Sequence, residues 1–299
     1  MATPPIRALP LSVPADRPLL GIAFMVGAGL LFTVLDTSVK WLTQSYPPIQ
    51  VLWARYAGHM LVLGVYLLMI GWPRCRAIMA SVESLSGQFL RGLLLLAASG
   101  FAFLAFRELP LLQVYVINFS APLLVTLLAI PLLKERVTLA MGLAVVTGFI
   151  GVLIAIGPVD WRAQPAALLP FGMAFCFALY QLATRRFGRN AHPLASLFYT
   201  GLAGALVCSL VVPFFWTPIA MGDIPLFLAI GTLGAASQLG LIMAMRCAPA
   251  SLMSPFLYLQ IVWATISGYL VFGDVPLLET YLGAILIIGA GIFLATRRH

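Results

Sequence analysis

Residues 91–110 read RGLLLLAASGFAFLAFRELP, and no position between Arg91 and Arg107 is charged. Extended to 87–106, the run reaches the roughly 20 apolar residues that a helix needs to cross the hydrocarbon core of a bilayer. It shows no strict apolar–polar alternation, so helix is favoured over barrel strand. Working outward, nine further runs of this kind occupy 19–41, 47–70, 109–133, 137–157, 166–186, 193–216, 222–245, 250–272 and 277–296. The turn Arg107-Glu108-Leu109-Pro110 separates the third run from the fourth as a tight hairpin, and Pro47, Pro110, Pro193 and Pro249 stand where a first helical turn tolerates proline. The expected fold is an all-α polytopic membrane protein with ten transmembrane helices behind a Pro-rich tail, residues 1–18.

Composition agrees. Of 299 residues, 62% are hydrophobic and 9% charged, where soluble domains carry about a quarter charged residues. That excludes an ordinary soluble enzyme, and the apolar content excludes a disordered chain. The net charge of +8 could suggest a nucleic-acid partner, but the basic residues sit between apolar runs instead of along one face or arm. The partner they imply is the lipid bilayer. With the N-terminus in the cytoplasm, all but four of the 17 Lys and Arg fall at or near the inner side. The exceptions are Lys40, Arg107 and Arg162 near the outer ends and Arg55 a little inside the second run. By the positive-inside rule both termini are then cytoplasmic, as in a plasma (inner) membrane protein. Cys75, Cys176, Cys208 and Cys247 lack metal-ligand spacing and read as free small hydrophobes. The first run is longer than a signal-peptide core and has a later counterpart, so it counts as the first span.

The counterpart belongs to an internal repeat. With a shift of 139, residues 91–110 meet 230–249, matching Gly92 with Gly231, Arg107 with Arg246 and Pro110 with Pro249, and Glu135 meets Asp274. With a shift of 145, Gly27, Phe32, Pro48 and Leu52 match Gly172, Phe177, Pro193 and Leu197, and Lys40 meets Arg185. Two repeats follow, 19–157 and 166–296. Five helices per repeat is odd, so the second copy enters the membrane inverted, the architecture of carriers with a midplane site.

Lys134-Glu135-Arg136-Val137, then Gly142, Gly148 and Gly151-Val152-Leu153, resembles the helix 4–5 signature of the drug/metabolite transporter superfamily, EamA type. The second half keeps Gly273-Asp274, Gly283 and Gly289, with Asp in place of the usual Glu and two extra residues before the glycine. The resemblance covers nearly the whole chain and, within the family, is greatest to the bacterial aromatic amino-acid exporters. It implies an inner-membrane secondary transporter that exports an aromatic or apolar amino acid by alternating access. A general drug or metabolite exporter is the alternative, and a channel or membrane enzyme a remote one.

Ionisable residues inside a bilayer are costly and mark function. Asp36 is the one carboxylate placed within a span, and Lys40, four residues on, shares its helical face. The pair reads either as a local neutralising contact or as an outer gate or proton site, although the repeat mate of Asp36 is Gln181 rather than a second carboxylate. Arg55 and His59 share a face of the second helix. Arg55 is expected to snorkel, with attraction of a substrate carboxylate or a bridge to Asp36 as the other reading. His59 is expected to pack through a hydrogen bond, with pH sensing as its functional reading.

In the fourth helix Pro122 deprives the carbonyl of Asn118 of its donor, making either a hinge or ligand contact or a plain kink satisfied by a neighbouring helix or water. Tyr115 and Phe119 flank Asn118. The shift of 139 carries Phe119 to Tyr258 and Ser99 to Gln238, so these six residues, with Trp263, are expected to border one central cavity for a small-molecule substrate. Gly142, Gly148 and Gly151 are expected at close helix contacts. No P-loop, metal-ligand cluster or nucleophile–base arrangement appears, so no catalysis, cofactor or metal is expected.

Overall fold

The computed structural model describes residues 17–133, 139–156, 165–187, 191–247, 256 and 258–297. The Lys134-Glu135-Arg136-Val137 turn and Pro249 lie outside the described residues. Among the described residues every regular element is a helix. The first crossing is α1 (Pro18–Ser45) and the second α2 (Pro48–Met69), followed by a short α3 (Trp72–Met79). The third crossing is α4 (Leu85–Glu108), and the fourth is broken into α5 (Leu111–Asn118) and α6 (Ala121–Leu133). Next come α7 (Leu139–Ile156), α8 (Leu169–Phe187), α9 (Pro193–Val211) and α10 (Ile224–Cys247). The ninth crossing is α11 (Leu259–Ser267), which widens into a π-turn over Gly268–Phe272, and the tenth is α12 (Leu278–Arg297). Among the described residues seven stretches are long and apolar enough to span a membrane, and the shorter apolar stretches Gly142–Ala155, Leu259–Phe272 and Leu278–Phe293 account for crossings five, nine and ten.

Local chemistry sets the boundaries. Pro193 opens α9 while the His192 ring accepts from Leu194 N, and the Ser84 hydroxyl caps α4 by accepting from Gly87 N at 3.1 Å. Gly71, at φ 87°, turns the chain between α2 and α3, a conformation that a Cβ disfavours. The sequence reading missed α3. Eight residues with Arg74 and Arg76 among them carry no span signal and extend only about 12 Å.

The helix packing obeys the repeat. α1 lies on α10 as α8 lies on α4, and α2 lies on α10 as α9 lies on α4. Exchanging the halves maps each pair onto the other. The self-related pairs α2 with α9 and α7 with α12 also pack closely. The result is an all-α membrane fold of ten transmembrane helices in two inverted five-helix repeats.

Small residues make the tightest crossings. A Cβ on Gly283 would fall 2.5 Å from the Ala155 Cβ, and one on Gly151 would fall 2.9 Å from the Gly283 carbonyl. Gly148 likewise admits the Leu123 side chain. Gly142 departs from expectation, with nothing within 4 Å of its would-be Cβ, because it faces away from the α7–α12 seam. Outside the bundle, Leu61, Leu68, Leu143, Leu153, Leu210 and Ile285 are exposed, as lipid-facing residues should be.

Candidate functional site

The two ends of the bundle are closed by different chemistry. At one end Lys40 Nζ donates to Asp274 Oδ2 at 2.6 Å and sits 4.5 Å from the centre of the Phe272 ring. Gly273, at φ 70°, terminates the π-turn and sets Asp274 in place, while Asp274 N donates to Gly268 O. The Tyr46 hydroxyl donates to Asp223 Oδ2 at 2.7 Å, and Gln50 Nε2 donates to Thr217 O at 2.8 Å. The bond to the Asp223 carboxylate raises the pKa of Tyr46 above the usual phenol range. A cleft at this end is walled by Pro110, Gln113, Thr265, Asp274 and Thr280.

At the opposite end Arg91 is 4% exposed. Its Nε donates to Thr184 Oγ1 at 3.0 Å, and its Nη1 donates to Gln88 Oε1 and to Ser196 Oγ. These bonds join α4, α8 and α9.

Between the ends lies a string of the residues expected from the sequence. The Tyr115 hydroxyl donates to Asp36 Oδ2 at 2.5 Å. The Tyr115 ring stacks on Phe119 with centroids 6.4 Å apart, and Phe119 meets Tyr258 at 5.1 Å. Phe119 lies at the break between α5 and α6 and Tyr258 just before α11, so the contact crosses the repeats at related positions. Arg55 Nη1 donates to Ser99 Oγ at 3.1 Å, and its guanidinium is within coulombic reach of Asp36. Its guanidinium carbon lies 5.8 Å from the centre of the Tyr56 ring and 5.7 Å from that of Phe103.

Several expectations are corrected by this geometry. Asp36 and Lys40 do not pair. The first helix runs to Ser45, so Asp36 sits deeper than expected and meets Tyr115, while Lys40 reaches across to the other repeat. Arg55 does not snorkel, because Ser99 offers a closer acceptor inside the bundle. Buried His59 packs by α9 beside Gly201, and its Nε2 has no hydrogen-bond partner. The Asn118 Oδ1, Ser120 Oγ and Trp263 Nε1 atoms are also buried and unpartnered among the described residues. Pro122 does not kink a continuous helix. The chain leaves the helix at Phe119–Ser120 and restarts at Ala121, with Leu123 N and Leu124 N both donating to Ser120 O.

Of the six residues expected around one cavity, Tyr115, Phe119 and Tyr258 form a connected chain and Asn118 adjoins it. Ser99 joins through Arg55. Gln238 and Gln181 are half-buried on α10 and α8, with no hydrogen bond among the described residues. The cleft near Asp274 is lined by none of them. Sequence reading missed Asp274 as the partner of Lys40, and it missed the Arg91–Gln88 cluster. The signals were the Gly-Asp pair at 273–274 and the lone Arg91 at the head of an apolar run.

The chain is similar to curated transporters over nearly its whole length. It is 25% identical over 274 residues to an S-adenosylmethionine uptake transporter of Rickettsia prowazekii, covering 92% of each chain. It is 28% identical over 279 residues to a riboflavin transporter of Vibrio cholerae, covering 91% of each, and 24% identical over 280 residues to a pseudopaline exporter of Pseudomonas aeruginosa, covering 92% of this chain and 95% of that one. A solved crystal structure shares the fold with a TM-score of 0.62 at 18% identity, over 94% of this chain and 98% of the other. The model of the EamA-like transporter family matches residues 19–157 and 164–297. The chain therefore belongs to the EamA-like transporter family of the drug/metabolite transporter superfamily, and is a membrane transporter rather than an enzyme.

Proposed function

We propose that this protein is an inner-membrane secondary transporter that carries an aromatic solute bearing a carboxylate, with an aromatic amino acid as the simplest case, outward by alternating access. The observation that carries the reading is the aromatic chain Tyr115–Phe119–Tyr258, which crosses from one repeat to the other beside the Arg55 guanidinium. Ring faces take a planar solute by offset stacking, Arg55 attracts its carboxylate, and the unpartnered Asn118 Oδ1 accepts from its amino group. Ser99, Gln238 and Trp263 complete the pocket wall, with Gln181 and His59 nearer the Arg91 end. The repeats 19–157 and 166–296 rock against each other at the α5–α6 break before Pro122. The Arg91 end faces the cytoplasm, both termini with it, and the Lys40–Asp274 pair closes the outer end.

A second reading is favoured by the relatives, whose names give riboflavin and S-adenosylmethionine as solutes: a wider aromatic metabolite occupying the same pocket. One experiment separates the two. Proteoliposomes are assayed for labelled phenylalanine and tyrosine flux, with riboflavin and S-adenosylmethionine as competitors, with and without a pH gradient. The amino-acid reading expects saturable phenylalanine and tyrosine flux. Flux of riboflavin or S-adenosylmethionine with none of the amino acids would replace it with the second reading.

A further inference from the structure

The Arg91 cluster is polar at every position where its repeat mate is apolar. Carried across the repeat, Gln88 and Arg91 become Phe227 and Ile230, while Tyr180, Thr184 and Ser196 become Leu35, Val39 and Val51. Those five mates form part of one continuous apolar core, with Leu35, Val39, Val51 and Ile230 wholly buried. The fold therefore accepts an aliphatic side chain at this crossing, and packing alone does not require a guanidinium there.

Arg91 is nevertheless buried with neutral partners. Thr184, Gln88 and Ser196 take three of its five N–H groups, and its face lies over the Tyr180 ring at 5.6 Å. No carboxylate among the described residues forms an ion pair with it, and Nη2 has no hydrogen-bond partner among them. Burying a charge without a counter-charge is expensive. The two N–H groups left free are both on Nη2, so this charged nitrogen can still donate to an oxyanion.

We infer that Arg91 is a carboxylate subsite at this end of the bundle, the station at which the solute's carboxylate is held before or after the central aromatic pocket. The inference rests on the proposed aromatic carboxylate solute, and Gln88, Thr184 and Ser196 act as positioning residues that fix the guanidinium with Nη2 free.

The test uses the purified full-length protein and benzoate as probe, with benzyl alcohol and phosphatidylglycerol as comparisons, read by thermal unfolding. Benzoate should stabilise the wild type and benzyl alcohol should not. In the variant R91I/Q88F/T184V/S196V, which installs the mate's own packing and so should fold, benzoate affinity should fall about tenfold or more. R91K, which keeps the charge and loses the fixed guanidinium, should fall less. In oriented vesicles the fourfold variant should raise KM for solute presented at the Arg91 end, leaving KM at the other end unchanged. Unchanged benzoate affinity in the fourfold variant overturns the subsite, as does stabilisation by phosphatidylglycerol alone. Arg91-dependent benzoate binding in a protein that moves no aromatic amino acid would remove the amino-acid reading and leave the subsite standing.

Discussion

Gly58 and Gly231 meet backbone to backbone: a Cβ on Gly231 would lie 2.5 Å from the Gly58 Cα, and one on Gly58 would lie 2.7 Å from the Gly231 Cα. The repeat carries this pair onto Ala203 and Gly92, where a Cβ on Gly92 would fall 2.5 Å from that of Ala203. One close crossing therefore occurs twice, once on each side of the inverted pair. The substitution G231A should destabilise by about 1–3 kcal/mol through overpacking, with G58A similar. G27A, which has nothing within 4 Å, should be neutral or slightly stabilising because alanine is the better helix former. Thermal unfolding in detergent reads all three, and a neutral G231A would show that α2 and α10 do not approach so closely.

The Lys40–Asp274 bond joins the first repeat to the turn between α11 and α12, with side-chain exposures of 9% and 26%. K40M or D274N should weaken closure at this end by about 1–2 kcal/mol, between the exposed and buried limits for ion pairs. The charge swap K40D/D274K should restore it. With the four native cysteines replaced, S99C should be labelled faster by an impermeant thiol reagent added at the Lys40 end of either single variant. Equal labelling in all variants would remove the pair from gating.

Asp36 accepts from Tyr115 and faces the field of Arg55. D36N keeps the shape, removes the charge and leaves Arg55 a half-buried cation with only Ser99. Expression or stability should fall, and R55Q added to D36N should rescue it. A well-folded D36N protein that had lost only its response to a pH gradient would instead make Asp36 the coupling group.

Ser99 holds Arg55 at 3.1 Å and lies 3.4 Å from the Tyr56 hydroxyl. S99F should block flux without preventing insertion, because the added ring fills the space beside the guanidinium. S99A should lower affinity by a factor of roughly ten to a hundred, the worth of one hydrogen bond to a charged group. Transport assays on protein of verified yield decide it, and normal flux in S99F would put the pocket elsewhere.

Both termini should report as cytoplasmic, and the 216–222 segment as external. Compartment-sensitive reporters fused at these three places measure it directly. A periplasmic C-terminus would contradict the cytoplasmic placement of the Arg91 end.

The crossings were legible because length and hydropathy determine them: each of the ten runs in the sequence corresponds to a helix or a broken helix pair. The repeat was legible from a few matches such as Gly92 with Gly231, since close backbone approach restricts those positions to small residues. The partners of charged residues were less so. Asp36 and Lys40, four apart on one helix, invite a local pair, yet each finds a better partner 79 or 234 residues away. Helical spacing shows which residues share a face and leaves open what that face meets. The broken fourth helix was half legible, since Pro122 marks where a hydrogen bond is lost but does not say that two residues leave the helix.

The contrast between the Arg91 cluster and its apolar mate bears on direction of transport. An inverted pair of identical repeats would have interchangeable ends, with equal half-saturation on both sides and equal speed both ways. With Gln88 and Arg91 at one crossing and their mates Phe227 and Ile230 at the other, the proposed subsite would break that equality, and the two faces would saturate at different solute concentrations. Microscopic reversibility limits what this can accomplish: unequal ends change rates and half-saturation values, and leave the final distribution of an uncoupled solute untouched. Equal fluxes at low concentration, unequal fluxes at saturation and the same final equilibrium from either starting side are the behaviour such asymmetry would give unless a second ion moves with the solute.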